Sequence, residues 1–235
     1  MDGTVFPSRD FISIAGFAKN ADVLVQARRS GVIGDAIGRT DASGFIEVNH
    51  PGGVCWTGQT PNIVAGDFID VFKVENNAFS SGQVQSVINT KVIKPAFLTA
   101  NGEVRVNGIA SEIGVVLALG LVEQRIINPD LAATRIGRRD VRADTSGGRV
   151  DNVAGGAGSL LRTGVGPSNE WRAIYTGLSD AEQQLAVAGQ SRAIAWLSTN
   201  ASGDRFGLTI SEFGEVGGPA MGGCPATGNI GIAIP

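Results

Sequence analysis

The sequence predicts an all-β protein of two tandem sandwiches. Three features carry that expectation. Residues 11–17, 23–29, 45–50, 68–75 and 104–108 alternate apolar and polar side chains at the period of two that marks half-buried strands. Glycine-rich breaks separate these runs: there are 34 glycines in 235 residues, above the usual ~7%. They follow no collagen-like period, so they read as turns at the ends of many short strands. With 43% hydrophobic and 17% charged residues, the chain has the apolar surface to fill real cores.

The first half reads as a compact strand series. Ile12 and Ile14 share one face, Val23, Val25 and Ala27 follow, and Ile33 and Ile37 stand among glycines. Thr40-Asp41-Ala42-Ser43-Gly44 is a turn, because Asp and Ser side chains bond their own backbone and Gly44 tolerates a left-handed conformation. The strand resumes at Phe45-Ile46-Glu47-Val48, residues 61–67 form a further turn, and residues 68–74 and 84–93 close the series. Pro95 cannot donate to a central ladder, and Asn101-Gly102 is a strong turn signal. The expected domains are therefore 1–96 and a larger 97–235. Arg105-Val106-Asn107-Gly108-Ile109-Ala110 echoes Ser13-Ile14-Ala15-Gly16-Phe17-Ala18, as a restart would.

In the second half, residues 116–127 alternate up to Asn128-Pro129, and residues 144–166 read as one long polar loop. Residues 171–176 form a strand. Ser179 and Glu182, three apart, make a capping box, which predicts a short helical segment near 179–188 closed by Gly189. Residues 193–198 and 206–213 pair across a turn at 200–204, and residues 229–235 form a last strand.

A helical turn between two late strands, with Tyr175 upstream and Trp196 downstream, resembles the E–F corner of an immunoglobulin-like sandwich. Thr40-Asp41-Ala42-Ser43-Gly44-Phe45 and Ala65-Gly66-Asp67-Phe68-Ile69-Asp70-Val71 resemble turn–strand signatures of bacterial immunoglobulin-like and fibronectin-III-like surface modules. The resemblance implies two tandem immunoglobulin-like domains and a secreted or cell-surface structural or adhesive role. It departs from antibody domains in the core disulfide, since each half has one cysteine.

Residues with chemical potential are few. Cys55 and Cys224 each lie in a glycine turn, and a disulfide between them is expected. His50, the sole histidine, stands where a strand enters a turn and reads as a structural residue bonding a loop carbonyl, so no enzyme is expected. One histidine and two distant cysteines make no zinc site. The carboxylates of Asp140, Asp144 and Asp151, or of Asp180 and Glu182, follow no calcium-loop pattern, so no metal or other cofactor is expected. Trp56 and Trp171 border loops and are the candidates for stacking on a sugar ring, whereas Trp196 reads as core. Ile230, Ile232 and Ile234 alternate with small residues and face one way. Such a strand must pair, in its own sheet or by addition to another chain.

A formal net charge of −3, with basic clusters only at Arg28-Arg29 and Arg135/Arg138/Arg139/Arg142, argues against a nucleic-acid partner. No apolar run is long enough to span a membrane, and no signal peptide is visible. The leading expectation is a non-enzymatic extracellular or cell-surface module whose partners are its own copies or another surface protein. The alternatives are a filament or virion-type subunit joined by strand addition, and a carbohydrate-binding module.

Overall fold

In the computed structural model, which describes residues 2–76, 78–112, 115–116, 121–144, 157–162 and 169–213, the alternating runs form strands and the glycine breaks form the turns between them. Among the described residues the protein is all-β with one α-helix. The expected loop at 144–166 contains a strand, residues 157–162.

The first unit comprises residues 1–88 together with 197–209. Its early strands are β1 (Asp2–Phe6), β2 (Phe11–Ala15), β3 (Asp22–Arg28), β4 (Val32–Arg39), β5 (Ile46–Val48), β6 (Phe68–Glu75) and β7 (Ala78–Ser86). They form two antiparallel sheets, ordered β1-β2-β5 and β4-β3-β6-β7. Both sheets bury one face in a common core. Val5, Ile12, Ile14, Ile46 and Val48 come from the first; Val23, Val25, Ala27, Ala36, Ile69 and Val71 come from the second. The inward residues of β3 are two apart, as the sequence pattern requires. Between β4 and β5, Asp41 Oδ1 accepts from the backbone N–H of Ser43 at 2.7 Å and of Phe45 at 2.9 Å. Gly44 sits at φ +83°, and a Cβ there would lie 2.3 Å from Phe17 O. The expected turn is thus built as an Asx turn.

The second unit comprises residues 89–196 and takes up the chain again at Ile210. Its strands are β8 (Asn89–Leu98), β9 (Val104–Glu112), β10 (Val115–Val116), β11 (Val122–Ile127), β12 (Asp140–Asp144), β13 (Ala157–Arg162), β14 (Glu170–Thr176) and β15 (Gln190–Ala195), with α1 (Asp180–Val187) between the last two. One sheet runs β8-β9-β14-β13, with β10 continuing beside the end of β9. The other runs β12-β11-β15. Val106, Ala110, Val122, Ile126, Val141, Leu160, Trp171, Ala173, Tyr175 and Trp196 are buried in this unit. Tyr175 is fully enclosed; its hydroxyl donates to Gln124 Oε1 and lies 3.2 Å from Gln124 O, a bond from β14 to β11. Burial pushes its phenol well above the usual pKa.

After β15 the chain returns to the first unit as the hairpin β16 (Ser198–Thr199) and β17 (Arg205–Phe206). In β18 (Leu208–Phe213), Leu208 and Thr209 run parallel to β1, and the later residues lie beside β15 in the second unit. Gln85 Nε2 donates to Leu208 O at 3.1 Å, and Ile88 N donates to Thr209 Oγ1 at 3.0 Å.

These units shift the expected boundary from 96/97 to Ile88/Asn89. The segment that contains Pro95 is not a linker. It is β8, which among the described residues pairs with β9 only, and its register breaks between Lys94 and Phe97 where the proline would have had to donate. Asn101-Gly102 is the hairpin turn from β8 to β9, with Thr99 N donating to Glu103 O at 2.9 Å. The first domain is also discontinuous in sequence, because its edge strand β1 takes its neighbour from residues 208–209.

The helix rests on a buried carboxylate. Ser179 Oγ accepts from Glu182 N, and Ser179 N donates to Glu182 Oε2 at 2.8 Å, completing the predicted capping box. Arg135 clamps the same carboxylate, with Nε 2.9 Å from Oε1 and Nη2 2.8 Å from Oε2, and also donates to Gly177 O. The guanidinium bonds, with the Ser179 amide behind them, hold the Glu182 carboxyl down at about 2, against an ordinary 4.5.

Two stability predictions follow from this packing. In Gly108→Ala, the new Cβ would lie 2.0 Å from Trp171 Cζ2 and 2.5 Å from the Lys91 carbonyl oxygen. Urea unfolding is expected to show a loss of about 2 kcal/mol or more, whereas Gly31→Ala, with nothing within 4 Å of its Cβ, stays near wild type. Glu182→Gln is expected to lose about 1–3 kcal/mol at neutral pH, discounted for the half-exposed guanidinium. Because the folded pKa is depressed, this contribution is present above pH 4.5 and disappears as pH falls toward 2. The gap between wild type and variant should close over that window in chemical denaturation.

Candidate functional site

The residues singled out from the sequence do not converge on one site. Trp56 is 3% exposed and Trp171 1% exposed, so neither indole offers a face to a ligand. Trp56 belongs to the core of the first unit, and its Nε1 donates to Asp10 O at 2.9 Å. Trp171 lies opposite Gly108 in the β14–β9 pairing and fills the space a side chain would take there. The stacking role expected of both is therefore corrected. A tryptophan bordering a loop in sequence seals the end of a core here, because its large apolar area gains most from complete burial.

His50 follows β5 at the start of a turn in which Gly53 N donates to His50 O at 2.9 Å. Its ring packs against Phe11 with centroids 5.0 Å apart, and Nδ1 lies 2.9 Å from Glu47 Oε2. The imidazole thus faces a carboxylate and a phenyl ring rather than the loop carbonyl expected. Cys55 stands in the same loop, just after Val54, whose N–H donates to Glu47 O at 2.9 Å. Among the described residues there is no free cysteine. Cys224 lies outside the described residues, as do Ile230, Ile232 and Ile234.

The arginine clusters meet carboxylates. Arg29 grips the buried Asp67 with Nε–Oδ1 2.7 Å and Nη2–Oδ2 2.9 Å, and Val64 N adds a third bond to that carboxylate at 2.8 Å. Arg28 pairs with Asp70 and stacks over Phe68 at 4.9 Å. Arg142 donates to Asp140, and Arg135 to Glu182. Two of the carboxylates weighed for calcium, Asp140 and Glu182, are therefore engaged by guanidinium groups. Among the described residues, no group of three or more His, Cys, Asp or Glu side chains is arranged to hold a metal ion. No helix among them is long and apolar enough to cross a membrane.

Among the described residues, two apolar surfaces stand out that the sequence did not single out. The first is a groove of about 460 Å³ in the second unit, lined by Leu98 at the end of β8, by Asp180, Gln183, Gln184 and Val187 of α1, and by Ala188 at the helix C-cap. Leu98 is 51% exposed and Val187 41%. Gln183 holds the helix to the β8–β9 turn, its Nε2 donating to Gly102 O at 3.0 Å and to Leu178 O at 2.9 Å. Apolar walls with side-chain amides and one carboxylate suit contact with another surface better than acid–base chemistry. The second is β7, at one edge of the sheet β4-β3-β6-β7, with Phe79 54% and Val84 61% exposed. The usable signal for β7 was its lack of charge over Ala78–Ser86, which an edge strand ordinarily would not show.

The expected Cys55–Cys224 bond is tested by counting thiols under denaturing, non-reducing conditions. None should react, and two reactive thiols would overturn the pairing. No family model matches the chain, and no curated protein matches it.

Proposed function

We propose that the chain is a non-enzymatic structural or adhesive module of the immunoglobulin-like, fibronectin-III-like kind, working outside the cell or on its surface. The strand order of both units carries this reading. Lettered from their first strands, β1, β2 and β5 of the first unit correspond to A-B-E, and β4, β3, β6 and β7 to C′-C-F-G. In the second unit β8, β9, β14 and β13 correspond to A-B-E-D, while β12, β11, β15 and β18 correspond to C′-C-F-G. The helix α1 falls between E and F, where such sandwiches place a helical turn. Tyr175 differs from the tyrosine of that corner: it stands on the E strand and bonds across to the C strand.

The polar chemistry fits a structural role. The buried carboxylates of Asp67 and Glu182 hold loops and a helix end through arginine, and the histidine rests on Glu47 and Phe11. Adhesive contact, with copies of the chain or with another surface protein, would use the groove at Leu98 and Val187. The assembly reading, a filament or virion-type subunit joined by strand addition, is favoured by one observation, the exposed uncharged edge of β7. The carbohydrate reading needs an exposed indole, which buried Trp56 and Trp171 do not supply.

Fractionation of the source cells tests the location, and a hydrolase panel tests the chemistry. The protein is expected in the medium or the cell-surface fraction, with no turnover above buffer. Residence in the cytosol would overturn the location. Turnover abolished by His50→Ala, with circular dichroism unchanged, would overturn the non-enzymatic reading.

A further inference from the structure

We infer that Asn101 is a site of spontaneous covalent modification, deamidating through attack by the Gly102 amide nitrogen, and that the change releases α1 from the β8–β9 turn. Of the chain's asparagines, Asn101 and Asn107 are the two that precede glycine. Elsewhere the following residue carries a Cβ, which crowds the approach of its backbone nitrogen to the asparagine side chain. In sequence the two pairs are equivalent. The fold separates them.

Asn101 and Gly102 are exposed at the tip of the β8–β9 hairpin, in a turn closed by Gly102 N donating to Thr99 O at 3.1 Å. Gly102 takes φ +74°, and the nearest atom to where its Cβ would stand is Gln183 Nε2, 3.9 Å away. Attack therefore requires release of one hydrogen bond at a hairpin tip, a local opening that costs far less than unfolding. Asn107 stands instead in the interior of β9, between β8 and β14. Gly108 is buried, with Val92 opposite it on one side and Trp171 on the other, and Asn107 Oδ1 is closed to water. Turning the Gly108 nitrogen onto the Asn107 side chain requires parting the ladder.

The chemistry needs water and no other reactant. The Gly102 nitrogen gives up its proton and bonds to Asn101 Cγ; the Cγ–Nδ2 bond breaks, and Nδ2 leaves with a proton as ammonia. Water then opens the resulting succinimide. Addition at Cγ gives aspartate; addition at the Asn101 backbone carbonyl gives isoaspartate, in which the chain runs through Cβ and Cγ. Either product places a negative charge on the turn, and isoaspartate also lengthens its backbone by a methylene. The turn is an anchor as well: Thr99 N donates to Glu103 O at 2.9 Å, Glu103 N to Thr99 Oγ1 at 3.2 Å, and Gln183 Nε2 of α1 to Gly102 O at 3.0 Å. With its ends so held, a lengthened turn must displace the Gly102 carbonyl, and α1 loses this bond to the hairpin. The inference does not depend on where the module works.

Ageing the full-length protein at mildly alkaline pH, in buffer and in concentrated guanidinium chloride, tests it by tryptic mapping. Cleavage at Arg105 places the two asparagines on separate peptides. In denaturant both should gain the mass of deamidation, with isoaspartate, at similar rates. In buffer Asn101 should convert about tenfold or more faster than Asn107. Amides of residues 183–188 should then exchange about threefold or more faster in the aged protein than in fresh protein or in equally aged Asn101→Gln. Failure of Asn101 to convert in buffer, or conversion of Asn107 at the same pace there, overturns the site. Conversion at Asn101 that leaves exchange across 183–188 unchanged overturns the release of α1.

Discussion

The second unit depends on one contact between a large side chain and an absent one. Trp171 is one of two fully buried tryptophans described in that unit, with Trp196, and it fits because its cross-strand neighbour at 108 is glycine. Any Cβ there would meet the indole and the Lys91 carbonyl at once, so the pair β9–β14 could not keep its register with the ring inside. The device recurs. Gly158 lies beneath the Tyr175 ring and the Arg142 carbonyl, Gly34 beneath Pro61, and Gly82 beneath Phe72. Small residues set against large ones are how sheets of short strands fill a core with aromatic side chains at close packing density.

Charge plays the complementary part outside the core. Asp67 and Glu182 are nearly inaccessible, and each is held bidentately by an arginine that itself reaches solvent. A planar guanidinium suits this position: it satisfies both carboxylate oxygens while its remaining donors stay hydrated or bond a carbonyl, as Arg135 does at Gly177. The sites so fixed are the 61–67 loop and the start of α1, segments with few backbone ladder bonds of their own. Of the arginines that looked in sequence like the chain's basic clusters, Arg29 and Arg135 are therefore components of loop and helix anchors, and Arg28 and Arg142 pair with strand carboxylates. Among the described residues, apolar surface is exposed at β7 and beside α1.

Much of this was legible in the residues. Alternation located β3, β6 and β14 to within a residue or so, because a strand with one buried face must write its period into the sequence. The Ser179–Glu182 spacing located the helix, since both halves of a capping box lie within four residues. The turn at Asp41 and Gly44 was equally local. The candidate sites were much less legible. Burial of Trp56 and Trp171 depends on what packs over them, and the exposure of β7 depends on which strands do not pair with it. Neither is a property of neighbouring residues.

The sequence by itself determined the all-β class, most of the strands, the helix and its cap, because each is set by interactions a few residues apart. Only the tertiary structure decided that residues 84–93 are two strands parted at Ile88, that Pro95 sits on a sheet margin, and that residues 197–209 return to complete the first unit. It also decided that the glycines of strand interiors are there for close approach as well as for turns. These outcomes join residues more than a hundred positions apart, as Ile88 and Thr209 are joined. A backbone N–H can find its acceptor at any separation along the chain, so no local pattern records which partner it takes.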